Sequence, residues 1–403
     1  MHIQAHTIAE IYKMAQLYGM RRRCQSRAFS VVRSMLSCSF GRVETHQVEL
    51  RPRAWILHRP IIGLHTMIGG EGPLSYAHNS SYQRGIIDVA KPIIEDEITK
   101  KFDISQLSSN SVWIADFGCS TGHNSFLAMQ IITKAIHHKF QLERLISQIP
   151  DFYVFFNDQV TNDFNTLFRS LPLERHYQAI GLPGNYHARL LPKASLHFAF
   201  SSWSLQWLSQ VPKAAADSNS PAWNKGRVDY VGARQEVYDA YSSQYANDIQ
   251  TFLEARAEEL VSGGLMALLV PAVPTKHEDS NTSYKNPTDL PLIGSCLLDM
   301  AKKGRLSEAK IDSFNIPAYY TFPEELKAII ERNGSYSIER MEIFDNPGKY
   351  AMTNARVRAS IYRAVFEELL TDNFGGEIID ELFDTYRQKL EASPALLPPE
   401  NDK

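Results

Sequence analysis

Residues 112–124, Val-Trp-Ile-Ala-Asp-Phe-Gly-Cys-Ser-Thr-Gly-His-Asn, constrain the fold of this chain more than any other stretch. A short apolar run ends in Asp116, turns through Gly118 and Gly122, and enters an amphipathic segment from Phe126 to Ile136. Strand, glycine turn and helix in that order predict the ligand-binding entry of a doubly wound α/β sheet. Glycine at 118 and 122 lets the backbone approach a ligand where a Cβ would collide with it. The spacing D-x-G-x-x-x-G departs from the dinucleotide G-x-G-x-x-G, which disfavours a nicotinamide dehydrogenase. An acid at the strand's end suits a cationic or hydroxyl-bearing ligand better than a pyrophosphate. Taken alone, the loop fits an ordinary tight turn equally well.

A second apolar run, Tyr153-Val-Phe-Phe156, ends in Asn157-Asp158. An acid at the end of the second strand is where such sheets hold the two hydroxyls of a ribose. Asp158 also fits a cap for the helical segment that follows Thr161. Further strands are expected at Leu196 to Ser201, Gly264 to Val270 and, more weakly, Tyr336 to Phe344. Helical patterns alternate with them at Ser81 to Lys100, Ser125 to Phe140, Asp163 to Arg169 and Val237 to Val261, which predicts a parallel sheet between helices. Five later patterns, starting at Leu290, Glu308, Pro323, Ala355 and Gly376, would cap the carboxyl ends of the strands. Ala214 to Pro221 is expected to be a mobile loop.

These segments carry a family resemblance. Met67-Ile-Gly-Gly-Glu-Gly-Pro-Leu-Ser-Tyr-Ala, Asn79-Ser-Ser-Tyr-Gln-Arg84, Ala115-Asp-Phe-Gly-Cys-Ser and Phe155-Phe-Asn-Asp158 come first. Gly181-Leu-Pro-Gly184, Ser201-Ser-Trp-Ser-Leu-Gln-Trp-Leu-Ser209, Pro221-Ala-Trp-Asn-Lys-Gly226 and Phe314-Asn-Ile-Pro317 follow. In this order they resemble the SABATH family of plant S-adenosylmethionine-dependent methyltransferases, from about Met67 to about Leu390. The resemblance implies an α/β fold: a Rossmann-like class I methyltransferase sheet with an α-helical cap, spanning 63–392. It also implies a homodimer and a cytoplasmic setting. The activity implied is methylation of a small carboxylic acid. N-methylation of a xanthine and a catalytically inactive, ligand-binding paralogue are the alternatives.

By the same resemblance, Tyr76, Ser80, Asp116, Asn124, Asp158, Gln159, Asn185 and Tyr186 line S-adenosylmethionine. Gln83 and Trp207 hold the acceptor's carboxylate, and Trp203, Gln206, Leu292, Ile293 and Tyr319 shape its pocket. Asn224, Asp312, Phe314 and Asn315 match a Mg²⁺ site, whose oxygen ligands suit a hard cation. Local sequence alone reads several of these more plainly. Gln83 fits a helix surface, Trp207 and Tyr76 fit core packing, and Ser80 and Asn124 fit helix caps. Cys296 fits helix packing, and His137-His138 fits a solvated helix face.

Composition excludes other classes. A net charge of −3 over 403 residues offers no basic field for nucleic acid or an anionic membrane. No apolar run approaches the ~20 residues that span a bilayer. Cys24, Cys38, Cys119 and Cys296 have neither metal-ligand spacing nor a disulfide framework. Residues 1–62 stand apart: Arg21, Arg22, Arg23, Arg27, Arg33 and Arg42 lie among serines, with no acid from Ile11 to Val43. That bias reads either as a leader before the family's usual start or as an organelle transit peptide. The resemblance implies a sheet usually closed by an apolar C-terminal strand. Here a tail, 393–403, contains three prolines that cannot join a central strand, so an open strand edge is expected.

Overall fold

Five parallel strands form the sheet, and the central ones are short apolar runs that bury both faces under helices. The five are β1 (Ser111–Phe117), β2 (Asp151–Asp158), β3 (Gln178–Pro183), β4 (Leu196–Ser202) and β5 (Leu260–Leu269), in the order β3-β2-β1-β4-β5. The computed structural model describes residues 66–107, 110–143, 145, 149–273, 290–345, 347–352 and 354–393, which belong to the unit 59–403.

The helices flanking the sheet are α1 (Ser81–Lys101), α2 (His123–Leu142), α3 (Phe164–Arg169), α4 (Lys213–Ala216) and α5 (Gln235–Glu259). Later come α6 (Leu290–Lys302), α7 (Glu308–Ser313), α8 (Pro323–Asn333), α9 (Ala355–Phe374) and α10 (Ile379–Ala392). Side chains alternate across the sheet with the strand's period of two. Val112, Ile114, Val154, Phe156, Phe198 and Phe200 join the core built with α1 and α2. Ala115, Phe117, Phe155, Leu196 and Ala199 join the opposite core, with Tyr241, Tyr245, Ile249 and Phe252 of α5. A third core, including Leu297, Phe314, Phe366, Phe374 and Tyr386, holds α6, α7, α9 and α10 together as the cap. Backbone bridges Trp207–Ala318 and Ala272–Thr321 tie the segment behind this cap to the ends of β4 and β5.

The strand order reverses between β1 and β4, the place where open α/β sheets form a ligand crevice. Asp116 and Asp158 sit at the carboxyl ends of neighbouring strands there.

Several expectations need correction. Residues 336–344 form no strand. Glu339 and Arg340 are drawn instead to Lys101 (2.6 Å), Asp96 and Glu97 (3.3 Å each) of α1, while Met341 and Ile343 stay 40% and 65% exposed. Their alternation has no sheet face to bury. Sequence reading missed β3, an edge strand whose half-buried residues and Gly181 and Pro183 disguise it. Helix α8 packs through Leu326 and Ile329 into the α5 core rather than the cap. The stretch 214–221 opens inside helical turn α4, and Asp217 then accepts from Asn219 N (2.9 Å). Among the described residues β5 pairs only with β4, so one of its edges is open. Residues 1–62 and 394–403 lie outside the described residues.

Candidate active site

The glycine loop is fixed from both ends. Gly118 (φ +90) and Gly122 (φ +103) take left-handed backbone, where an added Cβ would lie 2.1 Å from Ser204 Oγ and 2.4 Å from Phe126 Cζ. Gly118 N and Cys119 N both donate to Asn157 O at 2.9 Å. Ser120 N donates to Asp158 Oδ2 (2.7 Å), and Asn162 Nδ2 to Ser120 O (2.9 Å). The loop after β1 is thereby stitched to the end of β2.

Two adjoining cavities open at this loop, sharing Tyr76, Gly118, Ser120 and Ser202 in their walls. The first, of about 410 Å³, is lined by Ser80, Gln83, Asp116, Thr121 and Asn124 among others. The second, of about 860 Å³, is lined by Asp158, Gln159, Asn185, Tyr186, Trp203 and Trp207 among others. All eight residues expected at the cofactor, with Gln83, Trp203 and Trp207, are thus brought together. Sequence reading missed Ser120 and Thr121, although both lie inside the loop motif it singled out.

Unpaired polar atoms mark the first cavity. Gln83 Oε1, Asp116 Oδ2, Ser120 Oγ and Thr121 Oγ1 are buried there without a hydrogen-bond partner among the described residues. Each such group costs about 1–3 kcal/mol, and a ligand that pairs them recovers that cost. Ser80 opens α1 but makes no side-chain capping bond, and Asn124 Nδ2 donates to Ser80 O (3.2 Å). The simple capping reading of these two residues therefore falls away.

Electrostatics point to a cation. Burial pushes the Asp116 carboxyl up to about 7, helped by the Asp158 charge and opposed by a Ser125 hydrogen bond. Loss of hydration pushes Asp158 up to about 6, against hydrogen bonds from Ser120 and Gln159. These raised carboxyls favour the empty fold at lower pH; that contribution is fully present below the ordinary value of 3.8 and is lost progressively as pH rises to about 6 for Asp158 and about 7 for Asp116. A cationic ligand needs them ionised, so its affinity should fall as pH drops from 8 to 5, with proton release on binding near pH 6.5. Calorimetry in buffers of different ionisation enthalpy measures that release; finding none would remove Asp116 from the cation's surroundings.

The acceptor side is more mixed. Trp207 is half-buried, with its ring 5.6 Å from Phe366 of the cap. Trp203 sits in left-handed backbone (φ +52), its N donating to Leu269 O (3.0 Å) and its ring edge-on to Tyr82 (5.0 Å). Gln206 lines neither cavity; its Nε2 donates to Trp203 O (2.9 Å), and its Oε1 is buried without a partner among the described residues. It shapes the turn that presents Trp203. Leu292, Ile293 and Tyr319 also line neither cavity. Ile293 is buried in the cap core, where Leu292 packs against it. Tyr319 is buried against the α5 tyrosines with its hydroxyl bonded to Tyr238 (2.7 Å).

Among the described residues no group of three His, Cys, Asp or Glu could hold a metal ion. The expected Mg²⁺ residues nevertheless converge: Asn224 Nδ2 donates to Asn315 Oδ1 (2.8 Å), and Asp312 Oδ1 accepts from Gly226 N (2.8 Å). Asn224 Oδ1 is buried without a partner among the described residues, so the donor set fits an oxygen-seeking ion. Phe314 N is bonded to Ile311 O (3.1 Å) beside them. An ion held there would tie the 224–226 turn to 312–315, away from both cavities.

Comparison with known proteins agrees with this geometry. Residues 63–400 match the family model described as SAM dependent carboxyl methyltransferase. The chain belongs to that family. The family includes loganic acid O-methyltransferase of Catharanthus roseus, 41% identical over 334 residues, covering 81% of this chain and 88% of the relative. Farnesoic acid carboxyl-O-methyltransferase of Arabidopsis thaliana is 41% identical over 325 residues, covering 80% and 92%. A solved structure, loganic acid methyltransferase with SAH, superposes with a TM-score of 0.78 at 40% identity, covering 83% of this chain and 94% of that one. The carboxyl methyltransferase fold of the family is therefore also the fold of this chain.

Proposed function

We propose that this chain transfers the methyl group of S-adenosylmethionine to the carboxylate of a small plant carboxylic acid, giving a methyl ester. One observation carries the reading: a single cavity wall holds a buried carboxylate, Asp116, and a buried amide, Gln83, each with one oxygen (Oδ2 and Oε1) unpaired among the described residues. The carboxylate suits a cationic donor. The neutral amide suits an anionic acceptor.

When bound, the cofactor supplies a methyl group already activated by its sulfonium. The acid, with a pKa of about 4, is ionised at neutral pH and needs no general base. What remains for the protein is to hold the carboxylate in line and exclude water. Gln83 lines the first cavity and, with its amide turned so that Nε2 rather than Oε1 faces the acid, would donate to the carboxylate, while Trp207 bounds the adjoining cavity. A lysine at either place would pair with the nucleophile and damp it. Asp158 and Gln159 would hold the ribose hydroxyls, and Asn185 and Tyr186 would line the adenine's side of the second cavity. Asn224 and Asp312 would hold Mg²⁺ as a brace, with no step of the transfer passing through it.

The relatives named for loganic acid and farnesoic acid favour isoprenoid-derived acids. A screen with donor labelled in its methyl group should include both, with salicylic, benzoic and jasmonic acids and a methylxanthine. The expected product is an ester whose label alkaline hydrolysis releases as methanol. Alkali-stable label on a xanthine nitrogen, or no product from any acid, would overturn the proposal.

A further inference from the structure

The end of α5 carries a buried charge pair that the chemistry above does not use. Arg256 and Glu259 are both fully buried, joined by Arg256 Nε to Glu259 Oε2 (2.7 Å) and Nη2 to Oε1 (3.0 Å). The guanidinium also lies 4.2 Å from the Phe117 ring centroid and 5.1 Å from that of Phe252. Burying such a pair costs hydration, and hydrophobic residues of similar size are often no less stable. Stability alone is therefore a weak account of it.

Its remaining bonds all go to one loop. Arg256 Nη1 donates to Tyr186 O (2.6 Å) and Nη2 to Ala188 O (2.8 Å). Glu259 Oε1 accepts from Leu191 N (2.9 Å) and from Leu190 N. The pair thus supplies donors to one half of the β3–β4 loop and an acceptor to the other. From the opposite side, Asn157 Nδ2 holds Leu182 O (2.7 Å) and Gly184 O (2.9 Å). Asn185 and Tyr186 are clamped between these anchors at the wall of the second cavity.

We propose that Arg256 and Glu259 are positioning residues for the cofactor's adenine, acting through the backbone of loop 184–191 without touching the ligand. This rests on the reading that Asn185 and Tyr186 face the adenine. The loop's backbone has no ladder of its own to hold it, so the fork of one arginine and the two oxygens of one glutamate replace that ladder. Lysine keeps the charge of Arg256 but cannot reach two carbonyls and a carboxylate at once.

Arg256→Lys and Glu259→Gln should raise KM for S-adenosylmethionine and Kd for S-adenosylhomocysteine about 10-fold. kcat at saturating donor and KM for the acid should stay within about twofold. Ile249→Ala is the control, buried in α5 with its side chain in the same core. It should lower the melting temperature without changing donor affinity. The inference is overturned if donor KM rises no more in the pair variants than in Ile249→Ala, or if kcat falls instead. Should Glu259→Gln not fold, Arg256→Lys decides the matter. Tyr186→Ala separates the two readings. If it leaves Kd unchanged, the adenine assignment is wrong. If it weakens binding while the pair variants do not, only the positioning role is lost.

Discussion

Gln83→Leu should lower kcat/KM for the acid by about 100-fold while leaving Kd for S-adenosylhomocysteine within about twofold. Leucine nearly fills the amide's volume, so α1 and its buried face, including Ile87 and Ile94, keep their packing. What disappears is a neutral group able to orient an anionic oxygen. A misplaced nucleophile loses rate out of proportion to the binding it loses. Trp207→Phe is the matching change on the second cavity: the ring that packs near Phe366 is kept and the indole N–H is removed. A loss of about 10- to 100-fold in kcat/KM is expected there. Steady-state kinetics with the best acid from the screen decides both. Wild-type turnover in either variant would sink the proposed carboxylate clamp, leaving Trp207 as packing only.

Asp158→Asn should weaken cofactor binding by about 10- to 100-fold, equivalent to about 1.4–2.8 kcal/mol. Its two oxygens accept from Ser120 N and Gln159 N at 2.7 Å each. The substitution removes a charge and one acceptor, and loosens the stitch that holds the glycine loop to β2. Calorimetric titration with S-adenosylhomocysteine measures the loss. The same titration repeated from pH 5 to 8 should lose the protonation step near about 6 and keep the one near about 7. Unchanged affinity would place the ribose elsewhere.

Local signals in the sequence announced four of the five strands and the glycine loop with Asp116 and Asp158, whereas the other expected cofactor residues came from the family resemblance. The runs around Ile114, Val154 and Phe198 are buried on both faces, so they announce strands by composition alone. Gly118 and Gly122 have conformations that other residues resist, which makes their turn legible. β3 was missed because an edge strand is only half buried, and its Gly181 and Pro183 resemble a loop. Residues 336–344 misled in the opposite sense, since alternation predicts a strand only where a face exists to cover it. The acceptor wall was the hardest part. Ile293 and Tyr319 are apolar or aromatic at helix-like or strand-like spacing, and that pattern does not say which core will take them. The Arg256–Glu259 pair left no signal either, because its partners are backbone atoms about 70 residues upstream and chemically anonymous.

The separation of the cap's hydrophobic core from the two cores of the sheet has a consequence for how such enzymes diverge. In the proposed arrangement the donor would rest on β1, β2 and the β3–β4 loop, whereas Trp207, assigned to the acid, leans on α9 through Phe366. Drift within the cap can remodel acid preference while the donor crevice keeps its packing. Selection can then explore new acids one roof at a time over an unchanged floor.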